Sequence, residues 1–254
     1  MNTASSEIAL AIGLRKLFAA YSGPIARIFK SAMVFQDFGV GSDGSFIDVA
    51  AIATYLAGTT GARVLQYDQA SGALLTQANH ALRQLWTPPS GTARAAVTFD
   101  GTMSASLPAA LTLGPNCSLF SVILHTSPSG VHLSNVSATW YQQGYIGASG
   151  NGIQQFTNNT PSTAQTAQEG VTPLRLEACV RNGASVVFTE NTSQPALPLQ
   201  NFSSTGSTGP LDTVGGPAGY QVIGAVSEIV CTYTTVDITR QSAFTAATMA
   251  SYAL

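Results

Sequence analysis

From residue 94 onward, apolar residues recur in short runs broken by Gly, Pro, Ser and Asn. The runs at 94–99, 105–111, 118–125, 131–141, 174–181, 184–190, 220–223 and 225–233 predict strands, and many short strands with such turns indicate a sandwich or barrel. Upstream, Ile25 to Phe38 alternates loosely and predicts strands, 39–44 a turn, and Ala62 to Tyr67 another strand. Three segments read as helices. Ser5-Ser6-Glu7 caps an N-terminal helix that runs to about Tyr21, with Ile8, Ile12, Leu14, Leu17 and Phe18 mostly on one face and Gly23-Pro24 as its stop. Asp48 to Leu56 carries the stripe Val49, Ile52, Leu56. Ile238 to Tyr252 forms a closing helix. Two polar stretches, 145–171 and 201–219, read as excursions over the surface. No repeat or linker divides the chain, so 1–254 is expected to form one domain.

Charge narrows the function classes. The 254 residues hold 10 Lys+Arg and 12 Asp+Glu, only 9% charged, where soluble domains average roughly 25%. A nucleic-acid binder needs a basic stripe and an anionic-membrane binder a polybasic segment; neither partner is expected. From Gly101 to Gln168, and again from Asn191 to Leu211, there is no Asp, Glu, Lys or Arg. Interface cores are similarly depleted of charge, so the expectation is a subunit packed in a large assembly, against other proteins and copies of itself, or exposed to the extracellular medium; a neutral surface shaped by compositional drift is the alternative. Met1 to Tyr21 lacks the basic leader of a signal peptide, and no run of 18 uncharged apolar residues predicts a membrane-spanning helix. Cys117, Cys179 and Cys231 are far apart in apolar runs and read as buried free thiols. The Asn-x-Ser/Thr triplets at Asn116, Asn135, Asn158, Asn191 and Asn201 read as chance occurrences in a chain rich in these residues.

Candidate chemistry is sparse. Gly39-Val40-Gly41-Ser42-Asp43-Gly44 matches a dinucleotide fingerprint, with Asp68 near the place of a ribose-binding acid. The rest of the chain offers no alternating βα units to support such a site, so a plain glycine turn is expected. His80, His125 and His132 are scattered, and no metal or cofactor is expected. Glycoside hydrolysis needs two carboxylates. Asp68, Asp100, Glu177, Glu190 and Glu228 are the available acids, and most read as turn formers or solvated strand residues. Sugar binding asks only for an aromatic face with amides around it. Trp140 and Tyr145, followed by Asn151 and Gln154, have that composition, while a core role for Trp140 is the competing reading.

Several segments together resemble a known family. They are Gly13-Leu14-Arg15-Lys16-Leu17-Phe18 through Gly23-Pro24, Asp37-Phe38-Gly39 with Phe46-Ile47-Asp48-Val49, and Val64-Leu65-Gln66-Tyr67-Asp68-Gln69-Ala70-Ser71-Gly72. These resemble the catalytic-domain family of arabinofuranosidase B, whose signature is Tyr-Asp-Gln-Ser-Gly. Phe99-Asp100-Gly101 resembles the Phe-Asp-Gly turn of the wider concanavalin A-like lectin/glucanase group, and Gly224 to Val230 that group's last strand. The resemblance covers about 10–101 and 220–254. It implies a concanavalin A-like jelly-roll sandwich of two antiparallel sheets, mainly β, with short N-terminal, 48–56 and C-terminal helices. Tyr67, Asp68, Gln69, Gly72, Phe99, Asp100 and Gly101 are its signature residues, expected to be structural. The family's enzymes use a Glu in the central strands and an Asp after a late Gly-Gly turn. Here the central strands read as acid-free, and the late turn is Gly215-Gly216-Pro217. The resemblance therefore implies a non-enzymatic relative. Similar domains occur in bacteriophage particles, which makes a virion structural subunit (tail, fibre or decoration), packed against other virion proteins and copies of itself and touching host glycans, the leading expectation. The alternatives are a carbohydrate-binding module without a virion role, or an arabinofuranosidase-like glycosidase with Asp68 and Glu228 as its acids.

Overall fold

A computed structural model describes residues 7–91, 93–126, 130–134, 141–146, 153–158, 162–167, 174–190, 210–216 and 221–252. The elements run β1 (Ile8–Gly13), β2 (Ala26–Phe29), β3 (Phe35–Phe38), α1 (Val49–Leu56), β4 (Arg63–Gln66), β5 (Gln84–Thr87), β6 (Ala96–Asp100), β7 (Ala105–Leu111), β8 (Asn116–His125), β9 (Gly130–Ser134), β10 (Tyr141–Ile146), β11 (Ile153–Asn158), β12 (Ser162–Ala167), β13 (Arg175–Asn182), β14 (Ser185–Glu190), β15 (Leu211–Val214), β16 (Ile223–Thr232) and α2 (Ile238–Tyr252). All strand pairs are antiparallel. A ten-stranded sheet has the order β14-β13-β8-β16-β6-β5-β4-β2-β3, with β1 also on β16, and a six-stranded sheet has the order β12-β11-β10-β9-β15-β7. The expected mainly-β sandwich of two antiparallel sheets is what the chain forms.

Alternation distributes the core. Cys117, Leu119 and Ile123 of β8, Cys179 of β13 and Ile229 of β16 share one apolar cluster with Leu107, Leu133 and Val214 of the smaller sheet. That cluster fills the space between the sheets. Intervening residues on the large sheet, among them Phe120, Val122, Leu176 and Val230, join Phe244 and Tyr252 of α2 in a second cluster. The large sheet is thus covered on both faces. The ring of Phe120 lies edge-on to Phe244 at 4.7 Å.

The predicted N-terminal helix is not formed. Residues 8–13 are a strand in register with β16, from Ile8↔Thr232 to Gly13↔Glu228. Leu10 and Ile12 enter the inter-sheet core while Ile8 and Ala11 face the α2 side. A strand buried on both faces carries apolar residues at nearly every position, and its pattern does not separate it from a helix. Two further expectations need correction. The polar stretch 145–171 holds β11 and β12, and 201–219 holds β15, so neither is wholly a loop. The run 131–141 is divided between β9 and the start of β10.

Candidate functional site

The signature around Tyr67 is a latch. Asp68 Oδ1 accepts from the Ala11 and Ala70 backbone N–H groups at 2.9 and 3.0 Å. Its Oδ2 accepts from Ser71 N at 3.2 Å and from the Ser71 hydroxyl. Gln69 extends the same fastening, its Oε1 accepting from Leu17 N at 2.8 Å and its Nε2 donating to Arg15 O at 2.7 Å. Both side chains are buried, so they satisfy backbone groups that water does not reach. Ala70 lies between Gln69 and Ser71, and the turn still closes through Gly72, at φ +75°, whose N–H donates to Asp68 O at 2.7 Å. The Tyr67 hydroxyl accepts from Arg27 Nη2 at 3.1 Å. Asp68 ties β4 to β1, which is a structural duty.

Glu228 has one as well. It is 1% exposed, and Arg15 grips it with both prongs, Nε to Oε2 at 2.7 Å and Nη2 to Oε1 at 2.9 Å. The Arg15 Nη2 also donates to Thr248 Oγ1 of α2 at 2.9 Å, and the Tyr252 hydroxyl donates to Glu228 Oε2 at 3.3 Å. Burial lifts the Glu228 carboxyl above the usual range, and the Arg15 charge works against that rise. A register shift between Val226 and Glu228 places an extra residue, Ser227, in β16. This bulge aims Glu228 toward α2 rather than into the inter-sheet core.

Glu177 departs from the sequence reading. The sequence predicts a turn former or solvated acid and a sheet centre free of acids, yet Glu177 sits on β13, opposite Ser121 of β8, and is 0% exposed. Its Oε1 accepts from Arg175 Nε at 2.8 Å and from Arg175 Nη2. Positions 175, 177 and 179 share a strand face, and Cys179 belongs to the inter-sheet core. The pair therefore lies on the sandwich side. Arg-x-Glu in an apolar run was the available signal, because residues two apart on a strand are same-face neighbours. Glu177 and Glu228 occupy opposite faces of the large sheet.

Of the twelve carboxylates, Glu169 and the side chain of Glu190 lie outside the description, leaving ten. Each of the ten is engaged. Glu7 pairs with Arg240 and Asp37 with Arg27. Asp43, Asp48, Asp100 and Asp237 accept from backbone N–H groups in turns or at helix starts. Asp212 accepts from the Thr213 hydroxyl. Asp68, Glu177 and Glu228 act as described above. Phe99 is buried, and Gly101 turns at φ +89° with its N–H donating to Val222 O at 2.9 Å. The late Gly215 has φ +89°, and a Cβ there would lie 2.3 Å from the Phe99 ring.

Of the proposed glycan residues, Tyr145 and Gln154 belong to strands of the smaller sheet. Trp140 and Asn151 lie outside the described residues. Tyr145 and Gln154 are register partners across β10 and β11. Five strands of this sheet, β7, β9, β10, β11 and β12, fall within the charge-free 101–168. The composition gap therefore takes in most of the smaller sheet, to whose described strands β15 adds Asp212, together with β8 of the large sheet. Among the described residues no cluster suited to a metal ion exists, and no helix is long and apolar enough to cross a membrane. Gly39–Gly44 is a turn closed by Gly44 N to Gly41 O at 3.0 Å, ahead of an antiparallel bridge Val40↔Ile47. A hollow of about 470 Å³ beside α1, lined by Ala53, Leu56, Thr59 and Trp86 among others, contains none of the signature or glycan residues.

No family model matches the sequence, and no curated protein matches it. Solved structures do. A GH54 α-L-arabinofuranosidase soaked with a cyclic sulfate inhibitor superposes with a TM-score of 0.60 at 14% identity, over 96% of this chain and 63% of that one. An arabinofuranosidase complexed with arabinofuranosyl-α-1,2-xylobiose gives 0.62 at 13%, with the same coverages. The chain is thus a two-sheet antiparallel sandwich with the fold seen in arabinofuranosidases. It spans less than two thirds of the length of those proteins, and at this identity the likeness is one of architecture.

Proposed function

We propose that this chain is a non-hydrolytic, glycan-contacting sandwich that works as a subunit of a larger assembly, with a bacteriophage particle as its setting. The engagement of all ten described carboxylates carries the reading. A two-acid mechanism needs a pair of carboxyls flanking one glycosidic bond, and here Glu177 and Glu228 are buried against arginines on opposite faces of a sheet, while Asp68 is saturated by donors. A fold shared with glycosidases does not bring their chemistry with it. The charge-poor smaller sheet, with amides, hydroxyls and aromatics along the sequence of β10 and β11, supplies the group types that sugars accept and the low charge that subunit contacts favour. The virion setting rests on the sequence resemblance and on this charge distribution.

A glycan array combined with 4-nitrophenyl arabinofuranoside turnover tests the reading. Binding without release of nitrophenol, weakened in Trp140→Ala, is expected. Turnover abolished by Glu177→Gln, with the fold retained, would overturn it. Light scattering should report an oligomer, and a monomer at high concentration removes the assembly role.

A further inference from the structure

At the far end of the large sheet from β14, two arginines stand without carboxylates. Arg83 follows the short 3-10 turn His80–Leu82. Its guanidinium lies over Phe29 at 4.1 Å, donates from Nε to Gln77 O at 2.9 Å, and meets His80 Nδ1 from Nη1 at 3.0 Å. Arg63, opening β4, donates from Nη1 to Arg83 O at 2.9 Å and to Met103 Sδ. Neither arginine has an acidic partner among the described residues. Neighbouring Arg27 shows the contrast, being held by both oxygens of Asp37 at 2.7 and 2.9 Å.

The unused hydrogen-bonding capacity here is all donor. Arg83 retains Nη2, and Arg63 retains Nε and Nη2. An arginine beside His80 Nδ1 is necessarily the donor, which leaves the imidazole its Nε2–H. Burial, reinforced by the charges of Arg83 and Arg63, holds the His80 pKa below its ordinary value, so the ring is a neutral donor near pH 7. The three residues are half-buried, a setting in which cations are normally paired. The Phe35 ring, 47% exposed, lies 5.5 Å from Phe29, with the Arg27 guanidinium 4.2 Å over one face and the rest of the ring open. A planar guanidinium fork matches a carboxylate, and an exposed ring matches the apolar face of a sugar.

We infer that Arg63, Arg83 and His80 form a carboxylate-binding notch which, with Phe35, takes an acidic sugar, a uronic acid residue of a glycan. This rests on the carbohydrate reading above and adds a second subsite, distant in sequence from Trp140 and different in chemistry.

Titration calorimetry with de-esterified and methyl-esterified polygalacturonate tests it, since the two differ only in the carboxylate. Binding of the acidic form alone is expected, weaker at high salt. Arg83→Gln and Arg63→Gln should each weaken it by at least about tenfold, with melting temperatures confirming that both variants fold. Phe35→Ala should weaken polymer binding while leaving the thermal transition in place. Equal binding of both forms, an unchanged Arg83→Gln, or equal binding of polyglutamate would overturn the acidic-sugar assignment. Binding of neutral glycans alone, sensitive to Trp140→Ala, would overturn it while leaving the broader carbohydrate reading standing.

Discussion

Changing Glu228 to Gln removes one charge from a site where Arg15, Thr248 and Tyr252 converge and almost no water enters. The carboxylate is 1% exposed and its Arg15 partner 13%. Breaking such a pair strands the guanidinium among apolar groups, at a cost of about 3–5 kcal/mol. For a domain of this size each kcal/mol moves the melting temperature by about 2–4 °C, so Glu228→Gln should melt about 6–20 °C below wild type and shift the urea midpoint correspondingly, with little change in slope. Arg15→Met should cost a similar amount. The double replacement Arg15→Met/Glu228→Leu should recover most of the loss, because two apolar side chains leave no charge to solvate. Calorimetry and urea titration of the four proteins give the coupling directly. If Glu228→Gln lies within about 1 kcal/mol of wild type, or if the double variant is no better than the sum of the singles, the account of Glu228 as the clasp between β1, β16 and α2 is wrong.

Three further outcomes follow from the same structure. Gln69→Ala should destabilise the fold by about 2–4 kcal/mol, since it orphans the Leu17 N–H and the Arg15 carbonyl, and hydrogen exchange at Leu17 should quicken more than at β8 amides. Pairing with Arg27 holds the Asp37 carboxyl below its usual range, so its contribution is full above the unfolded carboxylate range and is lost as pH falls through the folded value. Asp37→Asn should therefore lower stability by at most about 1 kcal/mol near neutrality, and urea midpoints of the two proteins should converge only at acid pH below the ordinary carboxylate range. Burial pushes the Cys117 thiol up to about 12 and raises Cys179 and Cys231 well above the ordinary value. All three, free and buried, should ignore Ellman's reagent in the native protein and react together in guanidinium.

Much of the architecture could be read from the chain because turn residues punctuate it so regularly. The segments 94–99, 105–111 and 184–190 each became a strand within a residue or two. What escaped reading shared one cause, burial on two sides. In β1, Leu10 and Ile12 face one apolar layer and Ile8 and Ala11 another, so no polar face marks the period. Glu177 was misplaced for a related reason, since an acid in an apolar run gives no hint of depth until Arg175 is recognised as its same-face neighbour. The signature at Tyr67–Gly72 was legible as a motif, but its work became clear only from the donors that converge on Asp68. β11 and β12 were obscured by composition, because Gln- and Thr-rich strands lack the apolar alternation that identifies a strand.

The position of β16 has a consequence for how the molecule comes into being. Its neighbours are β8, β6 and β1, yet it is the last of the described strands in chain order. Until residue 232 has emerged, the large sheet lacks the ribbon that joins its halves, and β1 has waited through more than two hundred residues for a partner. Such long-range pairing slows folding and leaves sticky edges uncovered meanwhile. A nascent chain stalled short of Ile223 should accordingly be a substrate for chaperones and proteases, and the emergence of β16 the event that releases it.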